Sequence, residues 1–207
     1  SIWSAADSRA RGFLMGGTAG RTTLLGEGLQ HQDGHSLLLA STVPVCQAYD
    51  PAFAYEVAAI VRDGLQRMYV DNEDIFYYIT IYNENYVQPA KTGDVDGGIV
   101  KGLYSFADRP EGGSHYATIL FSGPAQAAAR KDQAELLEHF DVAVDLWSAT
   151  SYKKLREEAM EVERWNLLHP SDPTRVPFVT EALQDGSGPV IAVSDYMKIV
   201  PDQVGRW

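Results

Sequence analysis

With 207 residues, 45% of them apolar, the chain is long enough to bury a sizeable core in one large domain or two small ones. A formal charge of −11 argues against general nucleic-acid binding, which relies on Lys and Arg to neutralise phosphates, and makes runs such as Arg156-Glu-Glu158 solvated faces. No apolar run is long enough to cross a bilayer, the first residues lack the basic and apolar regions of a signal peptide, and Cys46 is the only cysteine; a cytoplasmic protein without membrane contact or internal disulfide is expected.

Residues 1 to 11 read as the end of a helix, and Gly12-Phe-Leu-Met15 as a short buried strand. Gly20 to Ser36 then holds four glycines, Gly20, Gly26, Gly28 and Gly34, with two histidines and two acids. So many glycines predict a shaped loop rather than a regular element. His31 and His35 in such a loop are candidates for handling protons, because the ordinary imidazole pKa lies near neutrality; the alternative is a plain structural hydrogen bond. Their spacing also resembles that of a zinc-binding helix, but Gln32 stands at the general-base position and Asp33 and Gly34 disfavour the helix.

An apolar run over 43–49 leads into Asp50-Pro51, which predicts a helix start with Asp50 as cap. Phe53, Val57, Ile60, Val61, Leu65 and Met68 then form a core-facing stripe at helical spacing. Ile75 to Tyr82 is apolar and aromatic on both parities, as suits a strand covered on both faces in a parallel sheet. Asn83-Glu-Asn-Tyr86 follows at its carboxyl end, where ligands of α/β sheets gather or where turns simply form. The Pro-, Gly- and Asp-rich tract Pro89 to Gly98 marks a domain boundary, with 91–98 as the linker.

Beyond it, 99–106 and 116–121 read as strands, and Ser122-Gly-Pro124 opens an Ala-rich helix to His139. A strand over 142–147, a charged helix over 152–165, a short helix from Pro177 to Gln184 and a strand over 188–194 complete the pattern, with Asp195 as cap of a last helix. Strand, helix, strand in this order predicts a parallel crossover. His115, His139 and His169 have no acid or histidine at metal-ligand spacing and read as surface or packing residues.

Gly20-Arg-Thr-Thr-Leu24, Gly26-Glu-Gly-Leu-Gln-His31 and Asp33-Gly-His-Ser36 together resemble the homodimeric decarboxylating components of bacterial pyruvate dehydrogenase complexes, within the transketolase-like thiamine diphosphate family. The resemblance continues in order through Tyr49-Asp-Pro-Ala-Phe-Ala-Tyr-Glu-Val57, Tyr82-Asn-Glu-Asn-Tyr86, Glu163-Arg-Trp-Asn166, Leu168-His-Pro170 and Ser194-Asp-Tyr-Met197. It covers essentially the whole chain.

The resemblance implies a three-layer α/β/α fold with mostly parallel sheets. Residues 1–90 would be the later part of a pyrimidine-binding domain and 99–207 most of a transketolase carboxyl-terminal-like domain. It implies thiamine diphosphate and Mg²⁺ as cofactors, pyruvate as substrate, and a second copy of the subunit and the lipoyl domains of a dihydrolipoyl acetyltransferase as partners. The family's Gly-Asp-Gly motif that ends in Asn and holds Mg²⁺ does not occur here, nor does the stretch with the glutamate that activates the aminopyrimidine. The expectation is therefore a fragment of a longer enzyme, inactive and without tightly bound cofactor when alone. By the resemblance His31 is the catalytic residue, donating a proton or hydrogen bond to the covalent intermediate or the lipoyl sulfur, with His35, Asp33 and Glu27 supporting the loop. Leu37 stands where several relatives carry a third histidine, and Gln32 where some carry Glu, which counts against a multi-histidine relay. A non-enzymatic assembly module of the same fold and a metal-dependent hydrolase are the alternatives.

Overall fold

The computed structural model describes residues 2–24 and 26–207; Ser1, and Leu25 within the glycine-rich stretch, lie outside the described residues. Its regular elements are α1 (Ile2–Asp7), β1 (Phe13–Gly16), α2 (Ser36–Ser41), β2 (Cys46–Tyr49), α3 (Ala54–Leu65), β3 (Phe76–Thr80) and α4 (Asp96–Lys101), followed by β4 (Tyr104–Ala107), β5 (His115–Phe121), α5 (Gln126–Phe140), β6 (Val142–Ser148), α6 (Tyr152–Leu168), α7 (Phe178–Leu183) and β7 (Val190–Val193). They form a three-stranded sheet ordered β1-β3-β2 and a four-stranded sheet ordered β4-β6-β5-β7. Every pairing is parallel except β4 with β6, so the molecule has the expected mostly parallel α/β/α character.

In the first sheet β3 is central, with Tyr77 opposite both Phe13 and Gln47. Its apolar side chains on both parities answer to this position: Phe76, Tyr77 and Ile79 are all buried. β1 departs from the expected buried strand. It is an edge strand, and Leu14 and Met15 are 42% and 46% exposed. α3 starts at Ala54 rather than at Asp50-Pro51. Glu56 decides this, because its Oε2 accepts from the N–H of Ala52 at 2.5 Å and of Phe53 at 3.0 Å, caring for donors that α3 leaves open. Of the apolar stripe, Phe53, Ile60 and Met68 are buried, whereas Leu65 is on the outer face.

The expected strand over 99–106 divides in two. α4 occupies the first half and begins inside the tract read as a linker, with Ile99 in the core beside Ile60, Tyr77 and Ile79. Gly102 stops it at φ 108, a left-handed C-cap where an added Cβ would lie 2.5 Å from the Ser151 carbonyl oxygen. Only then does the chain extend as β4.

The second sheet agrees closely with the sequence pattern, with β5, α5 and β6 as a parallel strand-helix-strand unit. α6 carries a true N-cap, as Ser151 Oγ accepts from Lys154 N at 3.1 Å. Both sheets share their packing. One buried cluster joins Leu37, Val43 and Phe76 to Leu103, Leu120, Leu155 and Tyr196, and a second stacks Phe53 on Phe106 with Phe121 edge-on. Buried polar groups cross the same boundary: Glu56 Oε1 accepts from Tyr104 Oη at 2.6 Å and Ser148 Oγ at 2.7 Å, and Ser151 Oγ donates to the Ala48 carbonyl at 2.6 Å.

Candidate functional site

The glycine-rich loop leaves the first sheet at the carboxyl ends of β1 and β3, where Ile81 N donates to the Gly16 carbonyl and Ala19 N to the Ile81 carbonyl, both at 2.9 Å. This is the end at which open α/β sheets bind ligands. The loop closes on itself at its neck, with Asp33 N donating to the Gly20 carbonyl at 2.9 Å. Gly20 has φ 83, and a Cβ there would lie 2.6 Å from Asp195 Oδ2 and 2.8 Å from the Tyr82 ring. Glycine is needed at this position for both reasons.

Inside the loop, Leu29–His31 forms one turn of 3-10 helix, with His31 N donating to the Gly28 carbonyl at 3.2 Å. His31, His35 and Glu27 are all exposed, and Leu29 in the same turn is 84% exposed. The three are thus displayed on one loop, open to a reactant but not joined in a relay. Asp33 differs. Its carboxylate accepts from His35 N at 3.1 Å, Ser36 N at 2.9 Å, Tyr196 Oη at 3.1 Å and, in a short contact, Ser36 Oγ. Burial pushes its pKa up, but these hydrogen bonds outweigh burial and hold it below the usual carboxylate value. Asp33 is an ionised anchor for the loop's far end.

Two groups beneath the loop escaped the sequence reading. Asp195, expected to cap a last helix, instead lies two residues beyond β7 and reaches the loop's entrance, its Oδ2 accepting from Arg21 N at 2.6 Å and Thr22 N at 2.9 Å. In place of that helix the chain makes a 3-10 turn over Pro201–Val204. Asp50, expected as a cap, is buried between the sheets, accepting from Thr80 Oγ1 at 2.7 Å and, in a short contact, from Tyr82 Oη. Burial pushes the Asp50 carboxyl above its ordinary value, against the hydrogen bonds from Tyr82, Ser122 and Thr80. The one available signal was position: both acids lie just past the ends of strands, at the ligand end of the sheet. Tyr82 and Tyr86 serve as ties to Asp50 and to the Ala52 carbonyl, while Asn83 to Asn85 are exposed.

Among the described residues no three His, Cys, Asp or Glu side chains come together as metal ligands. His31 and His35 thus have no third zinc ligand among the described residues. Burial pushes the Cys46 thiol up to about 11, which makes it a poor nucleophile at neutral pH. His115, His139 and His169 are exposed, His169 being stacked on Trp165 at 4.5 Å between ring centres.

Residues 1–89 match the family model described as pyruvate dehydrogenase E1 component middle domain. The whole chain is 53% identical over 208 residues to the pyruvate dehydrogenase E1 component of Mycolicibacterium smegmatis. Residues 1–89 belong to that middle-domain family, and the chain as a whole is similar to E1 components. Identity to the E1 components of Pseudomonas aeruginosa and Escherichia coli is 49% over 205 residues and 46% over 203. In each case at least 98% of this chain is covered but only 22–23% of the relative, so the chain spans under a quarter of the length of the E1 components it matches. The fold is also found in solved transketolases. The Leishmania mexicana enzyme matches 94% of this chain and 25% of its own at TM-score 0.60 and 18% identity, and the Campylobacter jejuni enzyme 92% and 25% at TM-score 0.60 and 17%. At such identities the transketolases speak for the fold alone.

Proposed function

We propose that this chain works as part of a thiamine diphosphate-dependent pyruvate dehydrogenase that decarboxylates pyruvate and acetylates the lipoyl group of a dihydrolipoyl acetyltransferase. The observation that carries the reading is the 53% identity to an E1 component across all of this chain, glycine loop included. Thiamine diphosphate, held with Mg²⁺, supplies the electron sink for decarboxylation. The protein works as a homodimer in the cytoplasm.

Within that reaction the chain contributes position and proton traffic. His31 donates a proton or hydrogen bond from its ring to the reacting group or to the lipoyl sulfur, which the exposed 3-10 turn leaves free to approach. Asp33, kept ionised, fixes the backbone that follows His31 through the N–H groups of His35 and Ser36. His35 and Glu27 line the same loop. The assembly role stays within this reading, as the buried ties between the sheets let the second sheet brace the first.

The test is carbon dioxide release from pyruvate by the intact enzyme, with and without thiamine diphosphate and Mg²⁺, followed by acetylation of isolated lipoyl domains. Release that requires both cofactors, with acetyl transfer, is expected. An intact enzyme that ignores pyruvate while fully loaded contradicts the proposal.

A further inference from the structure

Both ends of the His31 loop are held by three consecutive residues of the second sheet's carboxyl end. At the entrance, Asp195 Oδ2 accepts from the successive amides of Arg21 and Thr22 at 2.6 and 2.9 Å, and Arg21 Nε donates to the Asp195 carbonyl at 2.6 Å. At the exit, Tyr196 Oη donates to Asp33 Oδ2 at 3.1 Å and Met197 N donates to the Gly34 carbonyl at 2.8 Å. Asp195 and Tyr196 are themselves 7% and 3% exposed, so the clamp sits in protein rather than in water. The loop's neck, Asp33 N to the Gly20 carbonyl, lies between these contacts.

We infer that Asp195 and Tyr196 are positioning residues for catalysis: the segment Asp195-Tyr196-Met197 fixes both ends of the loop and so sets where the exposed His31 ring stands. The inference rests on the proposed role of His31. Its physical basis is the entropy of the loop. With both ends fixed, the turn carrying His31 is confined to few arrangements, and misplacement of a reacting group by about 1 Å can cost about a hundredfold in rate. The two backbone N–H groups accepted by one Asp195 oxygen hold the loop's entrance at two successive residues. Gly20 completes the device, since any side chain there meets Asp195 Oδ2.

The structure also separates this role from a direct chemical one. Asp195 needs only an oxygen acceptor in place, which Asn supplies and Ala does not. In the intact enzyme, Asp195→Ala is expected to speed hydrogen exchange in the peptide over 20–36 about tenfold or more and to lower the kcat of lipoyl acetylation about tenfold or more, with cofactor affinity nearly unchanged. Asp195→Asn is expected within about threefold of wild type in both. Tyr196→Phe removes one donor and keeps the buried ring; it is expected to speed exchange in that peptide about threefold, which keeps the test available if Asp195→Ala does not fold. Unchanged loop exchange in Asp195→Ala, or in Tyr196→Phe if the former is unfolded, overturns the inference. So does a loosened loop with wild-type kcat while His31→Ala is slow. Wild-type kcat in His31→Ala sinks instead the role proposed for His31, and leaves the exchange result standing.

Discussion

Replacing Glu56 tests the joint between the two sheets. The side chain is fully buried and accepts four hydrogen bonds, from Ala52 N at 2.5 Å, Phe53 N at 3.0 Å, Tyr104 Oη at 2.6 Å and Ser148 Oγ at 2.7 Å. Glu56→Leu keeps nearly the same volume and strands three donors, Ala52 N, Phe53 N and Ser148 Oγ, while Tyr104 Oη can turn to Tyr55 Oη at 2.6 Å. At about 1–3 kcal/mol for each buried group left unpaired, the loss is at least about 3 kcal/mol, a large share of a domain's usual stability. Glu56→Gln behaves differently: its carbonyl can serve the two amides while its NH₂ donates to the two hydroxyls, which turn to accept.

The pH dependence sharpens the comparison. Burial raises the Glu56 carboxyl above its ordinary value of 4.5, against the hydrogen bonds from Tyr104, Ser148, Phe53 and Ala52. A folded-state pKa raised in this way stabilises the protein fully below 4.5 and loses that contribution as pH rises through the raised value. Gln does not titrate, so Glu56→Gln gains on the wild type over that window. The assay is urea unfolding at a series of pH values, read as midpoint with the slope held constant. A Glu56→Leu midpoint equal to that of Glu56→Gln would refute the reasoning.

Three further outcomes are expected. Gly102→Ala places a side chain at φ 108 and 2.5 Å from the Ser151 carbonyl, and should lower stability by more than about 1 kcal/mol; an unchanged urea midpoint would show that the cap relaxes freely. Asp33 has its pKa lowered below 3.8, so its stabilising effect is complete above that value and is lost as pH falls through the folded-state pKa. The stability gap between wild type and Asp33→Asn should therefore close in acid, and a gap independent of pH would contradict the ionised anchor. The 207-residue chain alone should show no tight binding of thiamine diphosphate with Mg²⁺ by calorimetry, because it spans under a quarter of the length of the E1 components it matches; micromolar binding would overturn this.

Much of the fold was legible because it rests on local patterns. β3 declared itself through apolar residues on both parities, and β5, α5 and β6 through runs bounded by Gly-Pro and Asp. The misreadings occurred where two local signals competed. Asp50-Pro51 has the form of a helix start, yet Glu56 supplies the capping contacts and frees Asp50 for the space between the sheets. Ile99 to Phe106 fits a strand or a helix by apolar content alone, and Gly102 is what divides it.

For the candidate site, the shape of the loop was readable from its glycines, and His31 and His35 from their residue type. Its support was not. Asp195 bonds to an amide 174 residues away, and Tyr196 to a carboxylate 163 residues away, and nothing in the spacing of a single chain encodes such pairings. Nor did the sequence separate Asp33 from its neighbours, although four donors converge on it while His31, His35 and Glu27 stand in the open.

The most direct test of the account is the rate of lipoyl acetylation in the intact enzyme carrying His31→Ala, measured beside its affinity for thiamine diphosphate. On the role proposed for His31, turnover is expected to slow about a hundredfold or more, with affinity nearly unchanged, because the ring stands on an exposed turn of the loop. Acetylation at the wild-type rate would contradict the role given to His31 and to the loop that presents it.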